Sequence, residues 1–327
     1  MKIAYQILAD GVDITATLQD PLVSLTILDE AGIKSDTAEL QLDDRGYAIA
    51  VPPTGATFQI ALGFVGDLVE IGRYVVDEVS GEIAPATLAI SAKAADMLGE
   101  IRARKTRHWR DVTVQDIVAK IAGEHGLKAS ISAELKDHFY GYLAQTSESD
   151  LAFLTRLAND LDALAKPAGG YLLFTKRGTG KAADGSALPV FKIHQSQMAR
   201  GSWTLTGRRK YASVIAEWGA RDMATNNKAI AGRGTPALNL RHRYPSQAEA
   251  QRAADAALEK SRRASGKIRI DLGGFWGDLM AEAKVDLQGI KPELTGEWLI
   301  TRVQHRLTNT LTTSFDAERN TEEGENE

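Results

Sequence analysis

Hydrophobic and polar residues alternate through much of the first hundred residues, which is the pattern of β-strands with one buried face. The alternation predicts strands at Ile3–Leu8, Val12–Leu18, Leu22–Leu28, Ala38–Leu42, Thr57–Gly63, Gly72–Val79 and Thr87–Lys93. Asp10 and Gly11 form a residue pair that is typical of the tight turn between two paired strands. This part of the chain is therefore predicted to be an antiparallel sheet that covers a core on one side.

From about Leu98 the alternation gives way to helical spacing. A helix is predicted from Val114 to His125, with Thr113 as its N-cap, Asp116 at the third position and Gly126 as its stop. Its predicted buried face consists of Val114, Ile117, Val118, Ile121 and Ala122.

The stretch Gln145–Lys176 joins a second amphipathic helix to a β-hairpin. Ser147 is the predicted N-cap, and Asp150 follows where its carboxylate can meet free backbone N–H groups. The apolar face of this helix consists of Phe153, Leu154, Leu157, Ala158 and Leu161. Ala163–Lys166 and Tyr171–Lys176 are short apolar runs on either side of a Pro- and Gly-containing turn, which predicts the hairpin.

Strands return in the last part of the chain. They are predicted at Val190–His194, Ser202–Thr206, Tyr211–Trp218, Lys267–Leu272, Glu282–Leu287, Glu297–Leu307 and Leu311–Phe315, with a polar connection at 220–236. A third helix is predicted from Gln247 to Arg263, and Ser246 and Glu249 form its capping box. Its apolar face, which allows close approach to a sheet, is mostly alanine: Ala250, Ala253, Ala254, Ala257 and Leu258.

The predicted fold class is α+β, mainly antiparallel β. Residues 1–98 are expected to form a first β domain, completed by strands near 202–218, and residues 99–200 an inserted α+β domain. Residues 201–316 are expected to form a second β domain that contains the helix at 247–263. The last twelve residues hold six acidic groups against one arginine, and 317–327 is predicted to be a disordered acidic tail.

Bulk composition narrows the class of protein. At 327 residues the chain exceeds the roughly 250 to 300 residues at which one core stops growing, so several domains are expected. A net charge of −4 supplies no overall basic field for nucleic acid or for an anionic membrane. The absence of cysteine excludes disulfides and thiol catalysis. No apolar stretch approaches the ~20 residues of a membrane span, and the N-terminus lacks a signal-peptide pattern, so folding in a cytosol is expected.

Residues that could carry chemistry do not form a recognised pattern. The histidines, at His108, His125, His138, His194, His242 and His305, include no H-E-x-x-H pair. The neighbouring carboxylates Asp43-Asp44 and Asp77-Glu78 point to opposite faces of a strand, which disfavours acid/base catalysis. The run at 177–181 lacks the spacing of a phosphate loop, and no G-x-S-x-G elbow is present. The sequence therefore predicts no catalytic, cofactor or metal site and a non-enzymatic role.

A basic cluster offers a candidate contact site: Arg102, Arg104, Lys105, Arg107 and Arg110 around Trp109. Three interpretations stay open. The cluster could stack on and neutralise nucleic acid, or form a subunit contact, since Arg and Trp are favoured interface anchors. It could also be a solvated loop whose Trp109 packs beside Thr113 at the start of the following helix. Subunit contact is favoured over nucleic-acid binding.

The run Gln145, Ser147, Glu148, Ser149, Asp150, Phe153, Leu154, Arg156, Leu157 and Ala158 resembles the Q-x-S-E-S-D-x-x-F-L-x-R-L-A segment of the phage late control gene D family. Five further segments resemble that family in the same order: SLTILDEAGIKSDTAELQLDD, RYVVDEVSGEIAPATLAISAKAADM, HWRDVTVQDIVAKIA, GYLLFTKRGTGK and EWLITRVQHRLTNTLTTSFDAE. The hub part of type VI secretion spike proteins is similar. This chain departs from the family after Trp218, where members can carry lysine-rich insertions and it has a short loop.

The resemblance implies a baseplate hub of a contractile phage tail or tail-like bacteriocin. Such a hub is a homotrimer in which each chain contributes two β-barrel domains similar to the tail tube subunit, so that a pseudo-sixfold ring adapts a threefold spike to a sixfold tube. The implied partners are the central spike protein, the tail tube protein, the tape measure protein and other baseplate proteins. The implied location is the bacterial host cytoplasm during assembly and then the tail baseplate.

Two other classes are weighed against the hub. Tail-tip proteins can carry cell-wall-degrading hydrolase domains, but the chain shows no extra domain and no convergent acid/base set. A carbohydrate-binding module could use tryptophan, yet the five tryptophans, at 109, 203, 218, 276 and 298, share no predicted strand face.

Overall fold

The computed structural model describes residues 2–32, 36–94, 101, 103–168, 170–178, 186–206, 211–219, 227–263 and 266–319. The fold is mainly antiparallel β with added helices, which confirms the predicted class at that level. Most described strands join one large sheet, and three smaller sheets carry the rest.

The large sheet combines strands from both ends of the chain. Its N-terminal strands are β1 (Ile3–Ala9), β2 (Val12–Asp13), β3 (Leu22–Glu30), β4 (Thr37–Asp43), β5 (Thr57–Phe64), β6 (Asp67–Ser80) and β7 (Thr87–Ala94). Its C-terminal strands are β13 (Val190–His194), β14 (Met198–Leu205), β18 (Gly266–Leu272), β19 (Lys284–Gln288), β20 (Gly296–Leu307) and β21 (Leu311–Arg319). The order is β14-β18-β21-β20-β3-β4-β7-β6-β5-β1-β2, with β19 beside β20 and β13 beside β19.

The long strand β20 joins the two halves. Its residues 296–299 pair with β19 and its residues 302–307 pair with β3. Each half covers its own core, one around Ile27, Leu40 and Phe58 and the other around Val285, Trp298 and Phe315. Among the described strands β14 and β2 stay at opposite ends of the sheet, so neither half closes and the predicted two-barrel arrangement is not confirmed.

The inserted α+β part lies between β7 and β13. It contains β8 (Arg104–Thr113), α2 (Val114–Glu124), β9 (Lys128–Ile131), α3 (Ala133–Lys136), β10 (Phe139–Ser149), α4 (Asp150–Asp160), β11 (Ala163–Ala168) and β12 (Tyr171–Lys176). β8 pairs with β10 in a two-stranded ribbon, and β9, β12 and β11 form a second sheet. The helix α2 begins with the predicted capping box of Thr113 and Asp116, and its buried face is the predicted one.

A small unit follows β14. It consists of β15 (Ser213–Trp218), β16 (Asn227–Gly232), β17 (Ala237–Tyr244) and α5 (Gln247–Arg263), the last with the predicted bounds. Alanines on α5 and the sheet allow the close packing that the sequence predicted, since Ala216, Ala250 and Ala254 are fully buried. Two strands lie near 202–218, where strands were expected to complete the first β domain. β14 pairs with β18, and β15 pairs with β16 and β17.

Several local predictions need correction. Within the predicted strand Val12–Leu18 only β2 is extended, and Thr15–Leu18 forms the short helix α1. The basic stretch forms β8, and the polar connection contains β16. Residues 317–319 of the predicted disordered tail belong to β21, and the tail beyond them lies outside the described residues.

Candidate functional site

The family-like segment at 145–150 surrounds a buried carboxylate. Asp150 is fully buried at the start of α4, and its Oδ1 accepts hydrogen bonds from Arg107 at 2.5 Å and from Gln145 at 2.8 Å. Its Oδ2 lies 2.6 Å from Nζ of Lys105 and 2.9 Å from Nε2 of His125. The helix therefore begins at a side chain that ties it to the ribbon and to α2.

The predicted N-cap of α4 is off by two residues. Ser149 accepts the backbone N–H of Ala152 at 3.1 Å, so Ser149 is the cap. Ser147 lies in a bulge of β10 with φ of 51°, where its own N–H donates to Oγ1 of Thr106 at 3.1 Å. Asp150 is thus an ion-pair centre as well as a first-turn acidic residue.

Hydrogen bonds and nearby charges lower the pKa of Asp150 despite its burial. Burial raises its pKa, but hydrogen bonds from Gln145, Lys105 and His125 and the charge of Arg107 outweigh burial and lower that pKa. Glu124 extends the network by accepting from Lys105 at 3.1 Å and from Arg107 at 2.8 Å.

The same network contains the one group of possible metal ligands found among the described residues. Ligand atoms of Glu124, His125 and Asp150 all lie within 4.8 Å of one another. Lys105 and Arg107 already contact both carboxylates, so two positive charges occupy the place that a metal cation would need. The arrangement fits an ion-pair network that fastens β8, α2 and α4 together.

Trp109 is a core residue of the inserted part. Its ring is 5% exposed and stacks on Phe153 with 5.8 Å between centroids and 2° between planes. The guanidinium carbon of Arg107 lies 4.5 Å from the Trp109 ring centroid, and Nζ of Lys120 lies 5.4 Å from it. These two cations cover the ring and add cation–π attraction to its packing in the core.

The structure divides the predicted subunit-contact residues by strand alternation. Lys105, Arg107 and Trp109 face inward, and Arg104 and Arg110 face outward and are exposed. Arg102 lies outside the described residues. The subunit-contact hypothesis therefore stays a prediction. Of the cations on β8, Arg104 and Arg110 are the exposed ones that a partner could reach.

Aromatic side chains accompany these two arginines on the outer face of the ribbon. Tyr142 is 56% exposed, stacks on His108 with centroids 5.8 Å apart, and places its Oη 2.9 Å from Nδ1 of that histidine. Tyr142 also pairs with Arg110 across the two strands. Basic and aromatic groups on one exposed face are typical of an interaction surface.

A second exposed surface lies at the β14 end of the large sheet. Seven of the eight residues of β14 are exposed, which shows that this end strand has little cover on either face. Trp203 and Leu205 on it are 51% and 38% exposed. A groove of about 650 Å³ runs beside β14 and is lined by Trp203, Leu287, Leu294 and the cations Arg200 and Lys291, among others. Sequence reasoning missed this site, because the pairing order decides which strand is left at the end.

Other sequence candidates have local roles. Asp43 pairs with Arg45 at 2.5 Å and Asp44 accepts the N–H of Ile49, so both carboxylates serve a turn. Asp77 pairs with Lys93 across two strands. The run at 177–181 follows β12, and only its first two residues are described. In the described part of the chain, no helix is long and apolar enough to cross a membrane.

The fold is a mainly antiparallel β architecture whose large sheet has an exposed strand at one end. The chain belongs to the phage tail baseplate hub family, GPD, whose profile matches residues 50–311. The resemblance to the late control gene D family is thereby confirmed. The chain is 30% identical to the probable baseplate hub protein of Escherichia phage 186, over 96% of this chain and 92% of that protein.

Solved structures share the fold at low sequence identity. The 43 kDa tail protein of prophage MuSo2 from Shewanella oneidensis superposes with a TM-score of 0.71 at 13% identity, covering 97% of this chain and 98% of that one. An E. coli component of the type VI secretion system, described as similar to bacteriophage T4 tail proteins gp27 and gp5, gives a TM-score of 0.58 at 13% identity. It covers 98% of this chain and 78% of that one. The cell-wall hydrolase alternative gains no support from these comparisons.

Proposed function

We propose that this structural baseplate protein is a non-enzymatic hub that assembles as a trimer, in which a pseudo-sixfold ring adapts a threefold central spike to the sixfold tail tube. The observation that supports it most is the large sheet, which has two β-rich halves and an exposed strand at one end. Three chains bring six such halves together. Two halves per chain are what an adaptor between threefold and sixfold symmetry requires.

The β14 end is suited to accept a neighbouring chain. An end strand leaves a row of backbone N–H and C=O groups along one side, and these groups bind another strand readily. Trp203 and Leu205 add exposed apolar area, and large aromatic side chains are frequent interface anchors. Burial of this strand between chains removes a site of uncontrolled aggregation.

The opposite end of the sheet offers a complementary surface. Val12 on β2 is 66% exposed, and Asp10, Asp13 and Asp20 lie around the β1–β2 end. The groove beside β14 contains Arg200 and Lys291. Contact between the β14 end of one chain and the β1–β2 end of the next is head-to-tail, and such contacts form a closed ring when the rotation from chain to chain completes a full turn. Opposite charges at the two ends favour that register over like-with-like pairing.

The proposed partners are those that the family resemblance implies. A closed ring presents one rim to the spike protein and the other to the tail tube protein, with the tape measure protein and other baseplate proteins around them. The work of such a hub is geometric, because obligate interfaces on the order of 2,000 Å² or more can hold spike and tube together while the sheath contracts. Assembly in the host cytoplasm and then residence in the baseplate agree with the absence of cysteine.

A matched pair of variants tests the contact. Trp203→Asp places a charge on the β14 surface, and Ile230→Asp places one on β16, where the side chain is equally exposed at 53%. We expect Trp203→Asp to prevent assembly with spike and tube proteins and Ile230→Asp to leave assembly intact. Equal behaviour of the two variants would exclude β14 as the contact.

A charge swap tests the head-to-tail register. Arg200→Glu should weaken assembly, and adding Asp20→Arg in the same chain should restore it, because the two positions meet across neighbouring chains. Assembly that is weakened further in the double variant would contradict this register.

A further inference from the structure

The groove beside β14 carries positive charge that no described residue neutralises. Arg200 on β14 and Lys291, in the connection between β19 and β20, both line the groove and are both exposed. Within the described part of the chain, neither side chain forms a salt bridge or a hydrogen bond. Trp203 and Leu294 add apolar surface between them. The groove is therefore suited to an extended, negatively charged segment of polypeptide.

The chain itself leads to the rim of this groove. β21 ends at Arg319, whose Nη2 donates to the carbonyl of Glu293 at 2.7 Å. Glu293 lies between Lys291 and Leu294, two residues that line the groove. The guanidinium carbon of Arg319 also lies 5.9 Å from the ring centroid of Trp298. The last described residue is thus fixed beside the groove on two sides.

The strand register gives the distance from that point to β14. Glu318 pairs with Lys267 on β18, and Lys267 pairs with Thr204 on β14. Two strand spacings separate Glu318 from Thr204, which is about 10 Å. The chain after Arg319 therefore starts close to the C-terminal end of β14.

The packing at Gly266 supports the same placement. A Cβ atom on Gly266 would lie 3.2 Å from Cδ2 of Leu205 and 3.2 Å from Cη2 of Trp298. The last residue of β14 and the ring beside Arg319 are therefore neighbours across one glycine. No described side chain has to move for the following segment to reach the groove from Arg319.

The residues that follow have the length and the charge that the groove requires. Residues 320–327 read NTEEGENE, with four glutamates and no basic residue. Eight extended residues span at most roughly 29 Å. From Leu205 back to Arg200 is five residues of strand, or about 17 Å. The segment is therefore long enough to cross to β14 and to reach Arg200.

The backbone of β14 offers a second kind of contact. Among the described strands β14 pairs only with β18, so its other side presents N–H and C=O groups to an added strand. Residues 320–327 contain no proline, so each of their N–H groups can donate to such a strand. Attachment to the same chain gives the segment a local concentration in the millimolar range. Ion pairs that are weak singly then suffice to hold it.

We propose that the acidic segment 320–327 binds in the groove beside β14 of its own chain and covers this end strand in the unassembled subunit. Its carboxylates contact Arg200 and Lys291, and its backbone lies along β14. The acidic β1–β2 end of a neighbouring chain competes for the same two cations and displaces the segment during assembly. Displacement rests on the proposed assembly, whereas the contact within a single chain does not.

Carbodiimide crosslinking of the full-length chain tests the contact. The reagent joins a carboxylate to a lysine amine without a spacer, so it marks pairs that touch. The chain is diluted until its measured mass is that of one subunit. We expect glutamates of 320–327 to join Lys291 about threefold more than Lys267, the effect of two exposed ion pairs of ordinary strength. Lys267 is the matched control, because its side chain is 57% exposed and pairs with Glu318 beside the start of the segment.

Two arginine variants show whether the groove directs this crosslink. Arg200→Gln leaves Lys291 in place and should lower the Lys291 yield about threefold. Arg269→Gln removes an arginine on the adjacent strand β18 that is 51% exposed, and it should leave that yield unchanged. About 1 M NaCl, where the screening length is about 3 Å, should bring the Lys291 yield down to that of Lys267.

Hydrogen exchange gives a readout that needs no reagent. Replacing Glu322, Glu323, Glu325 and Glu327 by Gln should lower the protection of the peptide 198–205 about threefold in the single chain. Unchanged protection would overturn the proposal. A Lys291 yield no higher than that of Lys267, or equal yields in the two arginine variants, would also overturn it.

Mixed samples separate this contact from one between chains. Isotope-labelled and unlabelled chains are combined before crosslinking, and we expect each Lys291 link to join residues of one isotope. Links between labelled and unlabelled residues would place the segment in the groove of another copy and contradict the proposal. A chain that never forms a trimer would leave all of these expectations unchanged, so failure of the hub proposal is seen separately.

Discussion

Arg107 and Asp150 are joined by a hydrogen bond of 2.5 Å between strand β8 and the first residue of helix α4, across 43 positions of the chain. Asp150 lies in the stretch that resembles the late control gene D family, and Arg107 lies in the basic stretch at 102–110. The pair shows that these stretches stabilise the inserted part. We therefore predict that contacts with partners use other side chains, such as the outward-facing Arg104 and Arg110.

Removal of the Asp150 charge should destabilise the inserted part. Asp150→Asn leaves Lys105 and Arg107 facing a neutral amide, and we expect a loss of about 3 kcal/mol in the free energy of unfolding. This is the low end for a broken buried pair, because Lys105 and Arg107 keep 30% and 19% of their side chains exposed. Urea unfolding measures the loss, with the exposed Asp137→Asn as control. A loss within 1 kcal/mol of that control would contradict the central role of Asp150.

Trp109 should behave as a core residue. Trp109→Ala removes the stack on Phe153 and opens a cavity, so we expect a loss of about 3–5 kcal/mol in isolated protein. Arg110→Ala, next to it on the outer face, should change stability by about 0.5 kcal/mol or less. If the isolated Trp109→Ala protein were as stable as Arg110→Ala, the ring would be a partner contact instead.

The sequence predicts Ser147 as the N-cap of α4, whereas the structure shows Ser149 in that role. The two assignments predict different effects of replacing each serine. Ser149→Ala should cost about 1 kcal/mol, because the hydrogen bond to the N–H of Ala152 is lost. Ser147→Ala should cost about 0.5 kcal/mol or less, since that side chain caps no helix. If thermal unfolding showed a larger loss of stability for Ser147→Ala than for Ser149→Ala, the sequence-based assignment of Ser147 as the cap would be correct.

Acid should weaken the inserted part through Asp150. Its pKa is lowered in the folded protein, so its stabilising contribution is complete above the ordinary value of 3.8 and is lost as the pH falls through the folded pKa. Unfolding midpoints measured below about pH 4 should therefore fall more steeply in the wild-type protein than in Asp150→Asn. Parallel curves for the two proteins would contradict this assignment.

The helices α2 and α5 could be predicted from the sequence because their signals are local. Thr113 and Asp116 lie within one turn, as do Ser246 and Glu249, and the apolar positions repeat with the helical period. The strand β8 was missed because four Arg and Lys residues hide its alternation, and its partner β10 lies farther along the chain. β16 was missed in a polar stretch because its burial depends on α5.

Local sequence signals could not predict the exposed surface at β14 or the buried contacts of Lys166. Among the described strands β14 pairs only with β18, a contact across more than sixty residues, and this places β14 at the end of the sheet. The contact of Lys166 with Asp36 joins residues that are 130 positions apart. A charged residue in a predicted hairpin, such as Lys166, gives no local sign that it will be buried. Such sites depend on tertiary pairing, which a single sequence pattern does not determine.

The mass of the particle in solution tests the central claim most directly. Purified protein is measured alone and after addition of the spike protein and the tail tube protein, with Trp203→Asp in parallel. The hub proposal predicts a species of three chains, formed alone or on addition of either partner, and its loss in Trp203→Asp. A wild-type chain that stays monomeric in the presence of both partners would contradict the proposal.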